Sequence, residues 1–227
     1  MVGGPAELTR HLQSPAVQFS IGLPVTNVDA PQEFLSASAI AEMAATAEAA
    51  GYGACYVTDH PAPDQRWLET GGHHALDPFV ALSFAAAATT TLRLQTHILV
   101  LAYRNPLLTA KSMLSLDVLS NGRLTLGVAA GYLRSEFNSL GVDYDERNDL
   151  IDEAITVLSR VFVEDAFAFE GRHFRSRGTT LRPRPVQQRR VRRRQADHLR
   201  RQEHLHDRQL RHQHRQVRGH PDQRGRR

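Results

Sequence analysis

Apolar and polar positions alternate in blocks along the first 186 residues. Four short apolar runs have the composition of β-strands, and each is followed by a stretch with helical periodicity or capping residues. The predicted strands are FSIGLPV (19–25), ACYVTD (54–59), LRLQTHILVL (92–101) and RLTLGVA (123–129). Because these runs are nearly continuously apolar, they predict strands of a parallel sheet that is buried on both faces.

Capping residues mark the predicted helices between the strands. Asp29, followed by Pro31 and Gln32, predicts a helix that runs to about Ala50 and ends at Gly51. The other helices are predicted from Asp77-Pro78 to about Ala88, from Asn105-Pro106 to Asn121-Gly122, and over about 146–163. A loop is predicted over 60–76, and FAFEGRHFR (167–175) alternates around Gly171 as in a small hairpin.

Four successive β-α units can close in two ways, as a doubly wound open sheet or as a (β/α)8 barrel. A dinucleotide-binding open sheet carries G-x-G-x-x-G after its first strand, and IGLPVTNVDAP has no such motif. We therefore predict an α/β fold of the (β/α)8 TIM-barrel type. The chain supplies only the first four or so βα units, a small hairpin and an irregular basic tail.

Charge divides the chain into a body and a tail. Residues 1–186 carry 14 basic and 20 acidic side chains, whereas residues 187–227 carry 14 arginines and 4 acids. The acidic body gives no indication of specific nucleic-acid binding. Residues 1–17 are predicted to be a loose extension without the apolar core of a signal peptide. With one cysteine, Cys55, and no membrane-length apolar run, we expect a cytoplasmic protein that does not enter membranes.

The tail, residues 187–227, has three explanations. Arg, Gln and His fill 28 of its 41 positions, without sustained helical or strand periodicity. It is a basic tail for nucleic acid, a disordered spacer, or the product of a shifted reading frame. We favour the shifted frame, because the chain has 27 arginines and one lysine, Lys111, as GC-rich codons produce. We place the boundary near residue 186, so that the body is the domain 18–186.

The candidate chemistry lies where the predicted strands end. Asp59 and His60 follow the second strand, and His97 lies in the carboxyl half of the third. Catalytic groups of such barrels lie at the carboxyl ends of strands, but a polar loop entry and a core histidine are the alternative explanations. Trp67 either lines a substrate pocket or packs the long loop. We expect no metal site, because the first strand lacks the His-x-His of hydrolytic metal barrels.

Several segments together resemble the bacterial luciferase-like monooxygenase superfamily, and most closely its branch that uses the deazaflavin coenzyme F420. They are IGLPV, YVTDH, the block from RLQTHILVLAYRNP to SNGRLTLGVAAGY, and FEGRHF followed by LRPRP. The resemblance covers about residues 18–185. It implies a (β/α)8 barrel whose members transfer a hydride between a flavin or deazaflavin ring and a small organic substrate.

The resemblance also assigns roles to individual residues. It implies that His60 is the catalytic histidine against the ring and that Asp59 contacts the ring or its hydroxylated chain. Cofactor contacts are expected as well from Thr96, His97, Ile98, Gly131 and Tyr132, with a non-proline cis peptide between His97 and Ile98. The position of Tyr132 carries an acidic proton donor in relatives that oxidise sugar phosphates, so the tyrosine argues against that substrate.

The resemblance leaves open which cofactor binds and whether this chain is catalytically active. Coenzyme F420 is the expected cofactor, with FMN as the alternative, and a homo-oligomer is allowed. Because the later strands and their phosphate-binding turns are not recognisable, the competing hypothesis is a non-catalytic remnant of the fold. Nucleic-acid binding through the basic tail is the third hypothesis.

Overall fold

The computed structural model describes residues 17–187. The predicted extension 1–17 and the basic tail therefore lie almost wholly outside the described residues. The strands are β1 (Ser20–Gly22), β2 (Ala54–Val57), β3 (Arg93–Val100), β4 (Leu124–Ala129), β5 (Phe167–Glu170) and β6 (Arg175–Thr179). The helices are α1 (Pro31–Phe34), α2 (Ala37–Ala49), α3 (Gln65–Glu69), α4 (Pro78–Ala88), α5 (Pro106–Leu119), α6 (Arg134–Ser139) and α7 (Arg147–Val161), with a 3-10 helix at Tyr144–Glu146.

The first four strands form one parallel sheet in the order β1-β2-β3-β4, and β5 and β6 form an antiparallel hairpin. Each strand of the sheet pairs with the strand before it in the chain. A doubly wound sheet reverses its strand order at a switch point, whereas a (β/α)8 barrel keeps the order of the sequence. The predicted barrel-type fold is confirmed for four βα units.

The helices α4 and α5 begin where the sequence predicts, at capping residues. The Asp77 side chain accepts hydrogen bonds from the backbone N–H groups of Phe79 and Val80, and Asn105 does the same at the start of α5. A proline occupies the first turn in both helices, where its missing N–H costs no hydrogen bond. These two helices pack beside the sheet and fix the loops that precede them.

The predicted helix over residues 29–50 is wrong in one respect, because it is two helices. Ser36 begins α2, and its hydroxyl accepts a hydrogen bond from the N–H of Ala39. The predicted cap, Asp29, is not used; Ala30 precedes α1 without a side-chain cap. The Ser36 hydroxyl can accept the otherwise unpaired N–H of the residue three positions later. A new helix therefore begins there, although the apolar pattern is continuous.

Two short helices lie where the sequence predicts no helix. Asp64 caps α3 within the predicted loop 60–76, and α6 follows β4. They are five and six residues long, too short to show a helical period. Both matter for the candidate site, because they carry Trp67 and Glu136.

The sheet is covered on one face. In β3, Leu94 and Thr96 are fully buried against the helices, whereas Arg93 and His97 point to the opposite face and are exposed. The prediction of burial on both faces is therefore wrong for the described residues. A closed barrel covers its inner face with the side chains of the strands opposite, and residues 17–187 contain four strands in this sheet.

The last described residues reach the outer edge of β4. The carbonyl of Arg123 accepts a hydrogen bond from Leu94 in β3, at 3.1 Å. The next carbonyl, that of Leu124, therefore points to the other edge, where it accepts a hydrogen bond from the Gln187 amide at 3.1 Å. The N–H of Val186 donates to the buried carboxylate of Asp117 at 2.9 Å. The chain thus arrives where a fifth barrel strand would begin.

Candidate functional site

Asp59 and His60 lie directly past the carboxyl end of β2, as the sequence predicts, but they face different surroundings. Asp59 is 3% exposed. Its carboxylate accepts hydrogen bonds from the N–H of Val100, at 3.0 Å, and from two nitrogens of Arg104, at 2.7 and 3.2 Å. Burial raises the pKa of Asp59, and the hydrogen bonds and charge of Arg104 oppose that rise. The carboxylate is thus engaged within the chain, and its predicted contact with a cofactor stays a prediction.

The imidazole of His60 lies in a cluster of rings. Its centroid is 4.5 Å from the ring system of Trp67, 4.9 Å from His73 and 6.2 Å from Tyr132. The structure therefore brings three predicted site residues together, His60, Trp67 and Tyr132, although 72 positions separate the first from the last. His73 lies in the same cluster. Its place next to His74 in the sequence did not predict this.

Helix α6 ties the loop after β2 in place. The Glu136 carboxylate, 2% exposed, lies 3.3 Å from Nδ1 of His60 and accepts a hydrogen bond from the N–H of Ala62. The neighbouring Ser135 hydroxyl donates to Asp64, the residue that caps α3. Sequence reasoning passed over Glu136, because only the fold brings α6 to this loop.

The third strand carries an irregularity at His97. The peptide bond between His97 and Ile98 is cis, as the resemblance implies, and the pairing register of β3 with β4 shifts between Thr96 and Leu99. The Thr96 hydroxyl is buried and bonds both the carbonyl and the N–H of Gly127 in β4, at 2.8 and 3.1 Å. Thr96 therefore holds the two strands together beside the bulge.

His97 is not a core histidine. It is exposed, and its ring lies 4.9 Å from that of Tyr56 on the uncovered face of the sheet. Within the described residues 17–187, no hydrogen bond or ring contact joins His97 to His60. The predicted residues therefore form two neighbouring groups, one at the end of β2 and one on β3.

Gly131 and Tyr132 follow β4, and they have different surroundings. Gly131 has φ +86°, and a Cβ there would lie 2.6 Å from Val100 and 2.9 Å from Phe137. Packing therefore already requires a glycine at this position, independently of any cofactor. Tyr132 is half exposed, and burial together with the charge of Glu136 raises the pKa of its phenol. The phenol stays protonated at neutral pH and can donate a hydrogen bond.

The described residues contain no group of three or more His, Cys, Asp or Glu side chains that could hold a metal ion. None of the helices within residues 17–187 is both long and apolar enough to span a bilayer. The chemistry available at the strand ends is that of imidazole, phenol, indole and carboxylate groups.

Comparison with known proteins identifies the family. The model of the luciferase-like monooxygenase family matches residues 17–217, so the chain belongs to this family. The match extends beyond residue 185, where the recognisable motifs end.

Individual relatives cover part of the chain. The F420-dependent glucose-6-phosphate dehydrogenase of Intrasporangium calvum is 31% identical over 62% of this chain and 43% of its own length. The crystal structure of the monooxygenase RslO1 from Streptomyces bottropensis aligns with a TM-score of 0.65 and 28% identity, over 76% of this chain and 51% of that one. The FMN complex of a type II Baeyer-Villiger monooxygenase from Pseudomonas putida aligns with a TM-score of 0.60 over 71% and 43% of the two chains; at 16% identity it shows the fold alone. This chain spans about half the length of the curated relatives that it matches.

Proposed function

We propose that this chain carries the ring-binding half of an oxidoreductase that transfers a hydride between coenzyme F420 and a small organic substrate, with FMN as the alternative cofactor. The observation that supports this most is the position of His60. Its imidazole lies at the carboxyl end of a barrel strand among Trp67, His73 and Tyr132. An imidazole there can move a proton near neutral pH, next to aromatic surfaces that suit a planar ring.

Unsatisfied polar groups support a ligand at the strand ends. The hydroxyl of Thr58, next to Asp59, is buried and has no hydrogen-bond partner within residues 17–187, and the same holds for the hydroxyl of Tyr103. Buried polar atoms without partners are rare, and a bound group that supplies donors or acceptors explains them. These residues fit a ring with polar edge atoms, such as a flavin or deazaflavin.

When bound, F420 or FMN supplies the carbon or nitrogen atom that accepts or donates the hydride. The side chains of this protein supply the proton transfer, the hydrogen bonding and the exclusion of water. His60 holds or moves the proton of the substrate, Trp67 excludes water, and Tyr132 donates a hydrogen bond. The bulge at His97 and Ile98 would help to hold the ring, and Asp59, fixed by Arg104, orients the loop that carries His60.

The substrate differs from that of the named dehydrogenase relative. We infer this from Tyr132, which occupies the position implied for an acidic proton donor in sugar-phosphate oxidation. A neutral phenol with a raised pKa cannot release its proton as a carboxylic acid does. The inferred substrate is a small molecule other than a sugar phosphate.

Cofactor titration tests the proposal. Purified chain is titrated with F420 and, separately, with FMN, and fluorescence quenching reports binding. We expect saturable binding, tighter for F420, that weakens in the variant Trp67→Ala and is unchanged in His74→Ala, an exposed neighbour in the same loop. Tighter binding of FMN selects the alternative cofactor. If neither binds, the chain is the non-catalytic remnant, which the half-length match to its relatives also allows.

A further inference from the structure

Glu136 is a buried acid that needs partners. At 2% exposure its carboxylate has lost nearly all contact with water, and carboxylates this buried are rare unless hydrogen-bonded. Its two oxygens are used separately. Oε1 accepts the backbone N–H of Ala62, and Oε2 lies 3.3 Å from Nδ1 of His60.

These contacts determine which nitrogen of His60 carries a proton. A carboxylate can only accept hydrogen bonds, so Nδ1 must be the donor. Within residues 17–187, Glu136 is the one hydrogen-bond partner of the His60 ring; Trp67, His73 and Tyr132 contact it through ring packing. The lone pair of the neutral imidazole is therefore on Nε2, which has no hydrogen-bond partner in the described chain.

We propose that Glu136 is a positioning residue that holds His60 as the Nδ1–H tautomer and so presents a basic Nε2 to the substrate. This proposal deepens the proposed function and takes from it only the role of His60. It assigns a task to a residue whose two carboxylate oxygens contact Ala62 and His60. An imidazole in the other tautomer would present a donor where the proton acceptor is needed.

Substitution by glutamine gives a sharp test, because the amide has the same shape with one acceptor and one donor. The N–H of Ala62 still requires an acceptor, so the amide oxygen is expected to remain there. The NH2 group then faces Nδ1 of His60, and two donors cannot face each other. Glu136→Gln should therefore invert the tautomer while keeping the loop attached.

The measurement is a long-range 1H–15N correlation spectrum of the full 227-residue chain with 15N-labelled histidine, recorded near pH 9, where an ordinary imidazole is neutral. The variant His60→Asn identifies the signals of His60. We expect the Nδ1–H tautomer in the wild type, the Nε2–H tautomer in Glu136→Gln, and no change in Glu42→Gln, an exposed residue of α2.

Two results would overturn the proposal: an Nε2–H tautomer in the wild type, or an unchanged tautomer in Glu136→Gln. If Glu136→Gln does not fold, the wild-type spectrum alone decides. The readout requires no cofactor, so it separates this proposal from the proposed function. If neither cofactor binds but the predicted tautomers are observed, the proposed function is wrong, and Glu136 still holds His60 as the Nδ1–H tautomer.

Discussion

The guanidinium of Arg104 donates two hydrogen bonds to the buried carboxylate of Asp59, at 2.7 and 3.2 Å. Asp59 follows β2 and Arg104 follows β3, so this ion pair joins the two strand ends that carry the candidate site. The second carboxylate near Arg104, that of Asp77, lies 3.6 Å away and is more exposed. The pair therefore fixes the backbone from which His60 projects.

Removal of Arg104 should destabilise the fold. In Arg104→Met the aliphatic stem is kept, but Asp59 retains only the Val100 N–H as a partner. Leaving one member of a buried ion pair alone typically costs about 3–5 kcal/mol. Urea denaturation followed by circular dichroism measures the loss. The matched control is Arg175→Met, which breaks the exposed pair with Glu170 and should leave the midpoint nearly unchanged; equal midpoints for both variants would show that the buried pair is not stabilising.

Acid should weaken the junction between α2 and β3. Glu48 accepts hydrogen bonds from the backbone and hydroxyl of Thr91 and from the N–H groups of Leu92 and Thr90, which lower its pKa from 4.5 to about 2. Between these values the unfolded chain binds more protons than the folded one, so stability rises with pH. The contribution of Glu48 is complete above about pH 4.5 and is lost as the pH falls to about 2.

The check on Glu48 is denaturation of wild type and Glu48→Gln between pH 2 and 6. The wild type should be more stable near pH 6, and the difference should shrink steadily toward pH 2. Glu42→Gln, on the same helix but exposed, should follow the wild type at every pH. A difference that does not change with pH would show that the charge of Glu48 is not responsible.

Gly131→Ala should destabilise the chain by about 2–5 kcal/mol. The left-handed backbone costs an L-residue about 1–2 kcal/mol, and the new methyl group overpacks against Val100 and Phe137 for about 1–3 more. Gly141→Ala is the matched control, since Gly141 has φ +70° and open space around it. It should lose only the backbone cost of about 1–2 kcal/mol. Thermal denaturation compares the two variants, and equal losses would contradict the packing argument.

In a full-length version of the protein, His60→Ala should lower the rate of hydride transfer by about 100-fold or more, the usual contribution of a positioned acid or base. Folding should survive, because the Glu136 carboxylate keeps its hydrogen bond from the N–H of Ala62 when the imidazole is removed. Single-turnover absorbance changes of the bound cofactor measure the step. The control His74→Ala should react at the wild-type rate, and wild-type turnover in His60→Ala would remove the histidine from the mechanism.

The coding DNA tests the origin of the tail, which lies outside the described residues apart from Gln187. If the frame shifts near residue 186, a neighbouring frame should encode an apolar strand, a glycine-rich turn suited to phosphate, and an amphipathic helix. The position is the one where Gln187 meets the outer edge of β4. Early stop codons in both other frames would indicate a selected tail, and salt-dependent binding to random duplex DNA would then test it as a nucleic-acid module.

Local interactions made much of the fold predictable from the sequence. Asp77 and Asn105 start helices through hydrogen bonds to residues two and three positions away, and the apolar runs that become β2, β3 and β4 need no distant partner to be recognised. The same locality explains the error at Asp29, where Ser36 offered a competing cap that the pattern of apolar residues concealed.

The sequence by itself determined the βα order, the barrel-type fold class, the strand end at which His60 lies and the strand that carries His97. Only the tertiary structure decided what these residues contact. The pairing of His60 with Glu136 joins residues 76 positions apart, and the pairing of Asp59 with Arg104 joins residues 45 apart. Such contacts arise because parallel strands bring their carboxyl ends to one edge of the sheet, where side chains from separate loops meet. No spacing rule along the chain encodes that meeting, since it depends on the register of three strands and on the short helix that places Glu136.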